Sequence, residues 1–359
     1  PLERAEQRLC LITGLKPDHP AVALNGPDRI WAETNCYTDL WLSVLTALRL
    51  DPHACLAYTL AVDFLDDQWT FFKPSHDDLR ILYGLDTQEL CLWRPLVEHV
   101  QEQMGAGRMV VTEVDAWWLP DTSGTDYHQH HTKTTIAINE IDPAEQVLGY
   151  FHNTGYYRLE GDDYRGVLRL DEACDAGALP LMAEVVDLRN ITHRPQNTLR
   201  HLSHHLLDKY LERVPTRHPV RRWRRRCEQD LLCLTSGGLP RYHAWAFAGT
   251  RQMGSAFELA ALHLNWLAGN QHNTVHLVQA ADSLRQLSVL AKAFILKGAR
   301  AVVSGKPLNE GDLLGHMARH WSRGMELLGA GEIVLDTVPP RRPGSAEDHG
   351  PREAGAGAA

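Results

Sequence analysis

The chain has 359 residues, of which 44% are hydrophobic and 23% charged, a composition typical of a globular protein with about two domains. Its formal net charge of −9 gives no general attraction to nucleic acid, so we expect no such partner. We find no run of about eighteen apolar residues and therefore expect no membrane span. Seven cysteines without a C-x-x-C pair argue against a disulfide framework and a structural zinc site, and favour the cytoplasm.

The first helix is predicted to begin at Cys36. Apolar residues recur at i, i+3, i+4 spacing from Tyr37 to Leu48, which indicates a helix with one buried face, and Thr34 or Asn35 would be its N-cap. The free backbone N–H groups at such a terminus favour negative charge and can stabilise an oxyanion. Cys36 is therefore a candidate nucleophile, and a small buried hydrophobe is the alternative.

A polar, histidine-rich loop follows the predicted strand 109–114. Asp115, at the end of that strand, either orients an active-site loop or satisfies backbone donors, and Trp117 either walls an acyl channel or belongs to the core. The H-x-H-H cluster of His128, His130 and His131 raises the alternative of a metal site. We predict no metal, because no second cluster of matched spacing follows.

A β-hairpin is predicted after this loop. The segment 131–138 is β-branched and alternates in polarity, and the segment 147–151 returns as its antiparallel partner. This hairpin would place His131 beside Asn153, with His152 as the alternative neighbour. A cysteine at a helix start, a histidine on a strand and an amide on the next strand would supply nucleophile, base and orienting group.

The hydrophobic periodicity becomes helical near residue 175. One more short strand, 167–170, precedes this change. Five helices are predicted after it, over 198–213, 219–234, 253–267, 275–297 and 310–328. We therefore predict an α+β protein with three parts: residues 1–175 as a catalytic domain with a cysteine-bearing helix and an antiparallel sheet, residues 176–337 as an all-helical domain that covers the site as a lid, and residues 338–359 as a disordered tail.

An arginine-rich segment interrupts the acidic background. Six arginines fall within residues 217–226, which is either a solvated helix face or a docking surface for an acidic helix or a phosphate. The candidate contacts are Arg221, Arg222, Arg224 and Arg225.

Two charged residues on a later helix form a second candidate set. Arg251 and Glu258 lie seven residues apart and share a predicted face. They would either bind an acceptor amine or carboxylate, or pair within the helical layer.

Three blocks of the sequence resemble an uncharacterised bacterial family of unknown function. They are residues 28–41 around Cys36, residues 67–74, and residues 119–122 together with 131–135. More distantly, the first domain is similar to the N-terminal domain of the butirosin-biosynthesis acyltransferase and to papain-like bacteriocin-processing peptidases. The resemblance implies a papain-like fold with Cys36 as nucleophile and His131 as general base.

The same resemblance implies an acyltransferase without a cofactor of its own. It would take an acyl or aminoacyl group from the 4′-phosphopantetheine arm of a carrier protein, hold it as a Cys36 thioester, and pass it to a small amine. Papain-like peptidases place a glutamine before the cysteine, whereas this chain has Glu33 and Asn35, so Asn35 is the candidate second oxyanion donor. The alternatives are a papain-like peptidase or amidase, and a non-catalytic binding module. The sequence does not fix the oligomeric state.

Overall fold

The computed structural model describes residues 7–17, 19–20, 24, 29–171, 181–234, 237–269, 274–305 and 311–331. The predicted tail, 338–359, lies outside these residues. The described chain is an α+β structure, with an antiparallel sheet in its N-terminal region and helices in its C-terminal part, as the sequence predicted. None of the helices in the described ranges combines the length and apolarity needed to cross a membrane.

The N-terminal region is built on one antiparallel sheet and a separate small hairpin. The strands are β1 (Leu9–Cys10), β2 (His19–Pro20), β3 (Phe64–Leu65), β4 (Gln68–Trp69), β5 (Asp86–Leu90), β6 (Arg108–Asp115), β7 (Lys133–Asp142), β8 (Val147–His152), β9 (Gly155–Glu160) and β10 (Ala183–Asp187). The main sheet has the order β2-β9-β8-β7-β6-β10-β5, with β1 paired to the far end of β7, and β3 and β4 pair with each other. The predicted hairpin is confirmed as β7 and β8.

Helices surround the sheet and make up the C-terminal part. They are α1 (Cys36–Ala47), α2 (His76–Tyr83), α3 (Leu96–Gly105), α4 (Asp162–Val167), α5 (Gln196–Leu211), α6 (Pro219–Leu234), α7 (Gly238–Ala246), α8 (Gln252–Ala268), α9 (Val275–Ser304) and α10 (Gly311–Leu327). All five helices predicted for the second half are present, as α5, α6, α8, α9 and α10. A long 3₁₀ helix spans Pro52–Ala61, and one π-helical turn, Phe247–Arg251, leads into α8.

Because side chains alternate along each strand, the two faces of the sheet pack into different hydrophobic cores. Along β6, Met109 and Val111 face α1, whereas Val110 and Val114 face α3 and α4. The core beneath α1 continues without interruption into the helical part, because the 3₁₀ helix 52–61 packs against both α5 and α8. The start of α1 is thus enclosed between the sheet and the helices.

Two sequence predictions near the domain boundary are wrong. The boundary at residue 175 would cut off β10, which lies inside the sheet between β6 and β5, so the sheet-bearing region extends to Asp187. Residues 167–170 end α4 and form a turn rather than a strand. Two acidic residues in the first turn, Asp162 and Asp163, suit a helix start, and a four-residue apolar pattern cannot distinguish the two structures.

Candidate functional site

The capping of α1 fixes the position of Cys36. Asn35 is the N-cap, and its Oδ1 accepts a hydrogen bond of 2.9 Å from the backbone N–H of Thr38. Its Nδ2 donates to the carbonyl oxygen of Phe72 at 3.0 Å. Both ends of the Asn35 amide are therefore used in holding the helix, and donation from this side chain to an oxyanion stays a prediction.

The segment that leads into Cys36 is held by two buried carboxylates. Asp39 accepts from the backbone N–H and from the hydroxyl of Thr34, each at 2.6 Å. Glu258 of α8 accepts from the backbone N–H groups of Ile30 and Trp31 at 2.5 and 3.2 Å, and pairs with Arg29 at 3.0 Å. Glu258 is thus a structural anchor, and the expectation that it binds an acceptor is corrected.

Cys36 lines a cavity of about 450 Å³ at the start of α1. Its thiol is half-buried and unpaired. Residues of β6, β7 and β10 form one wall, and the segment 71–73 forms another. Phe71 and Met182 also line the cavity although they are 54% and 39% exposed, so they give it an apolar rim. An exposed apolar rim of this kind is typical of a surface that receives a ligand.

A hydrogen-bonded cluster of Tyr37, Glu184 and His76 borders the same cavity. The Tyr37 hydroxyl donates to Glu184 Oε2 at 2.6 Å, and His76 Nε2 lies 3.0 Å from that hydroxyl and 3.5 Å from Glu184 Oε1. Burial and the charge of Glu184 raise the pKa of Tyr37 far above its ordinary value, so the tyrosine remains a donor. This cluster was not predicted from the sequence, where its signal is the glutamate within the segment 183–187, which also holds two valines.

Arg251 brings a cation from the helical part toward Cys36. Its guanidinium stacks 4.1 Å from the ring centre of Phe247 and lies 3.8 Å from Glu33. Burial lowers the pKa of Arg251, against the opposing charges of Glu33, Asp39 and Cys36. A π-helical turn, a feature often found at functional sites, ends at Arg251 immediately before α8.

His131 is held by the two residues that the sequence marked as supporting. Its Nδ1 lies 2.6 Å from Asp115 Oδ2, and its ring stacks on Trp117 with the ring centres 4.5 Å apart. Asp115 Oδ1 in turn accepts from the backbone N–H groups of Trp117 and Thr132 at 3.0 and 3.2 Å. Because a carboxylate only accepts, the neutral imidazole carries its proton on Nδ1 and presents Nε2 as an acceptor.

Asn153 does not contact His131, so the predicted orienting role is corrected. The β7–β8 register pairs Ile136 with His152, which places Asn153 level with Thr135 and four residues from His131. Asn153 occupies the two-residue turn between β8 and β9 with φ of 46°, a left-handed conformation that asparagine tolerates. Its carbonyl oxygen accepts from Ser43, two turns along α1 from Cys36.

His152 is also excluded as the partner of His131. It is buried on the face of the sheet opposite α1, where Nδ1 lies 2.6 Å from Asp121 Oδ2 and Nε2 lies 2.8 Å from Thr134 Oγ1. Tyr150 donates to the other oxygen of Asp121 at 2.6 Å. This network fastens the 120–122 turn to the sheet.

Cys36 and His131 lie in adjoining cavities rather than in contact. The His131 cavity, of about 510 Å³, shares Glu113, Lys133 and Met182 with the Cys36 cavity. Lys133 Nζ lies 2.7 Å from Glu113 Oε1, so an ion pair stands between the two sites. Among the described residues, no histidine is hydrogen-bonded to the Cys36 thiol.

A third cavity adjoins the Cys36 cavity at a different part of its lining. It has a volume of about 840 Å³, includes His76 and Arg213 in its lining, and shares Phe71 and Lys73 with the Cys36 cavity. The Lys73 ammonium lies 5.1 Å from the centre of the Tyr37 ring. Cys36 is therefore approachable from two directions, past Lys73 or past Lys133.

The histidine-rich loop is arranged through aromatic contacts. His128 stacks on Tyr127 with ring centres 4.1 Å apart and lies 3.4 Å from Asp163, while His131 is committed to Asp115. Within the described ranges, no three His, Cys, Asp or Glu side chains converge in a way that would hold a metal ion.

The arginine-rich segment lies on α6 and is only partly available. Arg222 is buried, with its side chain 9% exposed, and is bonded to Asp63, so it ties α6 to the β3–β4 hairpin. Arg222 is therefore not available to contact a partner, and its predicted docking role is corrected. The other three predicted contacts line a separate pocket between α6 and α10; they are Arg221, Arg224 and Arg225.

Comparison with protein families places most of the described chain in one family. The DUF1839 N-terminal domain matches residues 20–188, and the DUF1839 C-terminal domain matches residues 196–330. The first match ends just after β10, in agreement with the corrected boundary. No curated protein matches the chain. With most of its length covered by both domains of one family, the chain belongs to the DUF1839 family.

Proposed function

We propose that this protein is a cysteine-dependent acyltransferase that carries the acyl group as a thioester on Cys36. The observation that carries the proposal is the position of a half-buried, unpaired thiol at the first residue of α1, where it lines a cavity with an apolar rim. A thiolate is the reactive form of cysteine, and helix N-termini and nearby cations favour it. The papain-like arrangement suggested by the sequence resemblance is part of this proposal.

The backbone at the start of α1 supports an oxyanion site. The N–H of Thr38 is taken by the Asn35 side chain, and the N–H of Asp39 by the Asn35 carbonyl. The N–H groups of Cys36 and Tyr37 have no acceptor among the described residues. In the proposed reaction these two donors stabilise the negative charge on the substrate oxygen, and no side-chain amide is required.

The proposed first half-reaction loads Cys36. The thiolate attacks the carbonyl carbon of a carrier-bound thioester, the new C–S bond to Cys36 forms, and the carrier thiol leaves and takes up a proton. Exchange between two thiols of similar acidity is nearly balanced in free energy. The donor is the 4′-phosphopantetheine arm of an acyl or peptidyl carrier protein, and the protein needs no cofactor of its own.

The proposed second half-reaction passes the acyl group to an amine. The amine nitrogen attacks the Cys36 thioester, a C–N bond forms, the C–S bond breaks, and His131 takes the amine proton on Nε2. The hydrogen bond from His131 to Asp115 supports this role, since it fixes the tautomer that accepts at Nε2. The shared wall of the two cavities supports approach of the amine from the His131 side.

The two approaches to Cys36 favour a transferase over a hydrolase. A donor arm that enters past Phe71 and Lys73 leaves the side past Lys133 for the acceptor. The buried carboxylate of Glu184 on the cavity wall provides a site that attracts a protonated amine before transfer. In this proposal Arg251 and the helical part cover the site and limit hydrolysis of the thioester.

The test is intact-mass analysis after the protein is mixed with acyl-loaded carrier protein. We expect a mass increase equal to the acyl group on wild-type protein and none on Cys36→Ala. The exposed thiol of Cys91 provides the matched control, so Cys91→Ala should load as the wild type does. Addition of a panel of small amines should then remove the adduct and yield the amide.

Other outcomes contradict the proposal in distinct ways. Loss of the adduct to water at the same rate with and without amines would assign the site to a peptidase or amidase. Loading of Cys36→Ala at the wild-type rate would place the nucleophile elsewhere. If Cys36 reacts with iodoacetamide no faster than a free thiol and accepts no acyl group, the protein is a binding module.

A further inference from the structure

A pocket rich in arginine lies between α6 and α10, away from the residues that line the Cys36 cavity. Its volume is about 380 Å³, and its charged lining residues in the described part of the chain are four arginines and one glutamate. The arginines are Arg221, Arg224 and Arg225 of α6 and Arg319 of α10. The sequence located only the α6 side, because Arg319 joins the pocket through tertiary packing.

Two of the guanidinium groups converge on one point above Gly315. A Cβ atom placed on this glycine would lie 3.5 Å from Arg224 Nη1 and 3.5 Å from Arg319 Nη1. The two nitrogens are therefore separated by no more than twice that distance. Like charges held this close repel each other, and an anion between them would remove the repulsion.

The counter-charge inside the pocket is smaller than the positive charge. Glu228 accepts from Arg224 Nε at 3.1 Å, which leaves the Nη atoms of Arg224 directed elsewhere. Two further arginines of α6 do not line the pocket and are held by other carboxylates, Arg226 by Asp230 at 2.7 Å and Arg222 by Asp63.

We propose that this pocket binds a phosphate group. Guanidinium groups present paired N–H donors that match the oxygens of phosphate, and a group with up to two negative charges suits the point where Arg224 and Arg319 converge. The absence of a side chain at Gly315 leaves room for the anion between Arg224 and Arg319. The proposal goes beyond acyl transfer, because phosphate binding here does not depend on Cys36.

Two sources of the phosphate group share this chemistry. One is a free phosphate or small phosphate ester, and the other is the phosphodiester that joins a 4′-phosphopantetheine arm to a carrier protein. The two are distinguished by titrating the full chain separately with inorganic phosphate, with 4′-phosphopantetheine, and with holo and apo carrier protein. Phosphorus NMR line broadening reports binding of the small probes at low ionic strength.

The variants test the pocket itself. We expect Arg319→Gln to weaken binding of inorganic phosphate or 4′-phosphopantetheine about tenfold, and Gly315→Glu to abolish it by placing a carboxylate between the two guanidinium groups. Arg323→Gln is the matched control, because Arg323 is on the same helix but pairs with Glu326. Gly315→Ala, whose methyl group meets ordinary contact distances, tests whether the helix tolerates a side chain there.

Each result decides the proposal. Binding that is lost in Arg319→Gln and retained in Arg323→Gln supports the site, and tighter binding of holo than apo carrier identifies the phosphodiester as the natural source. Equal losses in both variants, or the same response to chloride as to phosphate, would mean only general attraction to positive charge. No broadening with either small probe would overturn the proposal, provided that thermal melting shows the protein folded.

Discussion

The hydroxyl of Tyr37 donates a hydrogen bond of 2.6 Å to Glu184, whose side chain is only 4% exposed. These residues come from the first turn of α1 and from β10, which are 147 positions apart in the chain. The bond therefore joins the helix that carries Cys36 to the strand that forms the opposite wall of its cavity. His76 completes the cluster from α2.

We predict that Tyr37→Phe lowers the free energy of unfolding by about 1–3 kcal/mol, because a buried carboxylate loses its nearest donor. Urea denaturation of the wild type, Tyr37→Phe, Glu184→Gln and the double variant measures the effect and its coupling. Tyr127→Phe is the control, since Tyr127 donates to Asp163 in a more exposed setting and should cost less. Strictly additive costs at Tyr37 and Glu184 would show that the bond contributes nothing.

The elements around Cys36 and the hairpin were predictable because they depend on local patterns. The apolar spacing after Cys36 and the Asn35 cap fix α1, and alternation fixes β7 and β8. The partner of His131 was not predictable from the hairpin alone. The partner comes from β6, where Asp115 pairs with Lys133, whereas the β7–β8 register leaves Asn153 four residues from His131.

The predicted binding residues failed for a different reason. Glu258 and Arg222 are charged residues of the kind that often bind ligands at a surface. In the folded chain, however, Glu258 pairs with Arg29 and Arg222 pairs with Asp63, both far away in the sequence. A charged residue in a helical sequence gives no indication of which remote segment will bury it. In contrast, Glu184 reached the site from a segment that the sequence assigned to the other domain.

Asp115 provides a test of the base assigned to the second half-reaction. In Asp115→Asn, the amide oxygen can keep the bonds from Trp117 and Thr132, while the amide nitrogen becomes a donor toward His131. The imidazole proton then moves from Nδ1 to Nε2, and Nε2 no longer accepts. We expect transfer to the amine to fall between about a hundredfold and ten-thousandfold, with loading of Cys36 changed far less.

Single-turnover mass analysis measures loading and transfer separately. Asp126→Asn is the matched control, because Asp126 binds the Thr132 hydroxyl in the same loop without touching His131. Equal loss of loading and transfer in Asp115→Asn would mean that Asp115 only maintains the loop. An unchanged transfer rate would remove His131 from the mechanism.

We expect replacement of Glu258 mainly to lower stability and replacement of Arg251 mainly to change activity. Glu258→Gln removes one partner of an ion pair whose side chains are 6% and 5% exposed, and we expect a loss of about 3–5 kcal/mol in the free energy of unfolding. Arg251 pairs with a half-exposed Glu33, at 3.8 Å, so Arg251→Gln should cost less than Glu258→Gln. Urea denaturation measures both values.

The rate at which Cys36 is loaded should change more in Arg251→Gln than the stability does. Arg251 lies near Cys36, so its replacement should change the rate at which Cys36 is loaded, even though the fold is retained. Similar stability losses in the two variants would contradict the anchoring role of Glu258. A loading rate in Arg251→Gln equal to that of the wild type would exclude Arg251 from the site.

We predict that the folded protein loses stability in mild acid, because two of its histidines are buried. Burial lowers the pKa of His263 to about 4 and that of His218 to about 4, both below the ordinary value of 6.5. His263 Nδ1 lies 2.8 Å from the carbonyl oxygen of His53, and its Nε2 is buried without a hydrogen-bond partner in the described part of the chain. Protonation is therefore easier in the unfolded chain than in the folded one.

The sign of the effect follows from these directions. Each histidine contributes stability that is fully present above pH 6.5 and is lost as the pH falls toward 4, at about 2 kcal/mol per residue between pH 7 and pH 5. Asp39 acts in the opposite direction, since burial raises its pKa to about 6. Urea denaturation of His263→Gln at each pH isolates the effect of one histidine. Between pH 7 and pH 5 the free energy of unfolding of this variant should fall by about 2 kcal/mol less than that of the wild type. Parallel pH profiles would show that His263 is already protonated or not buried.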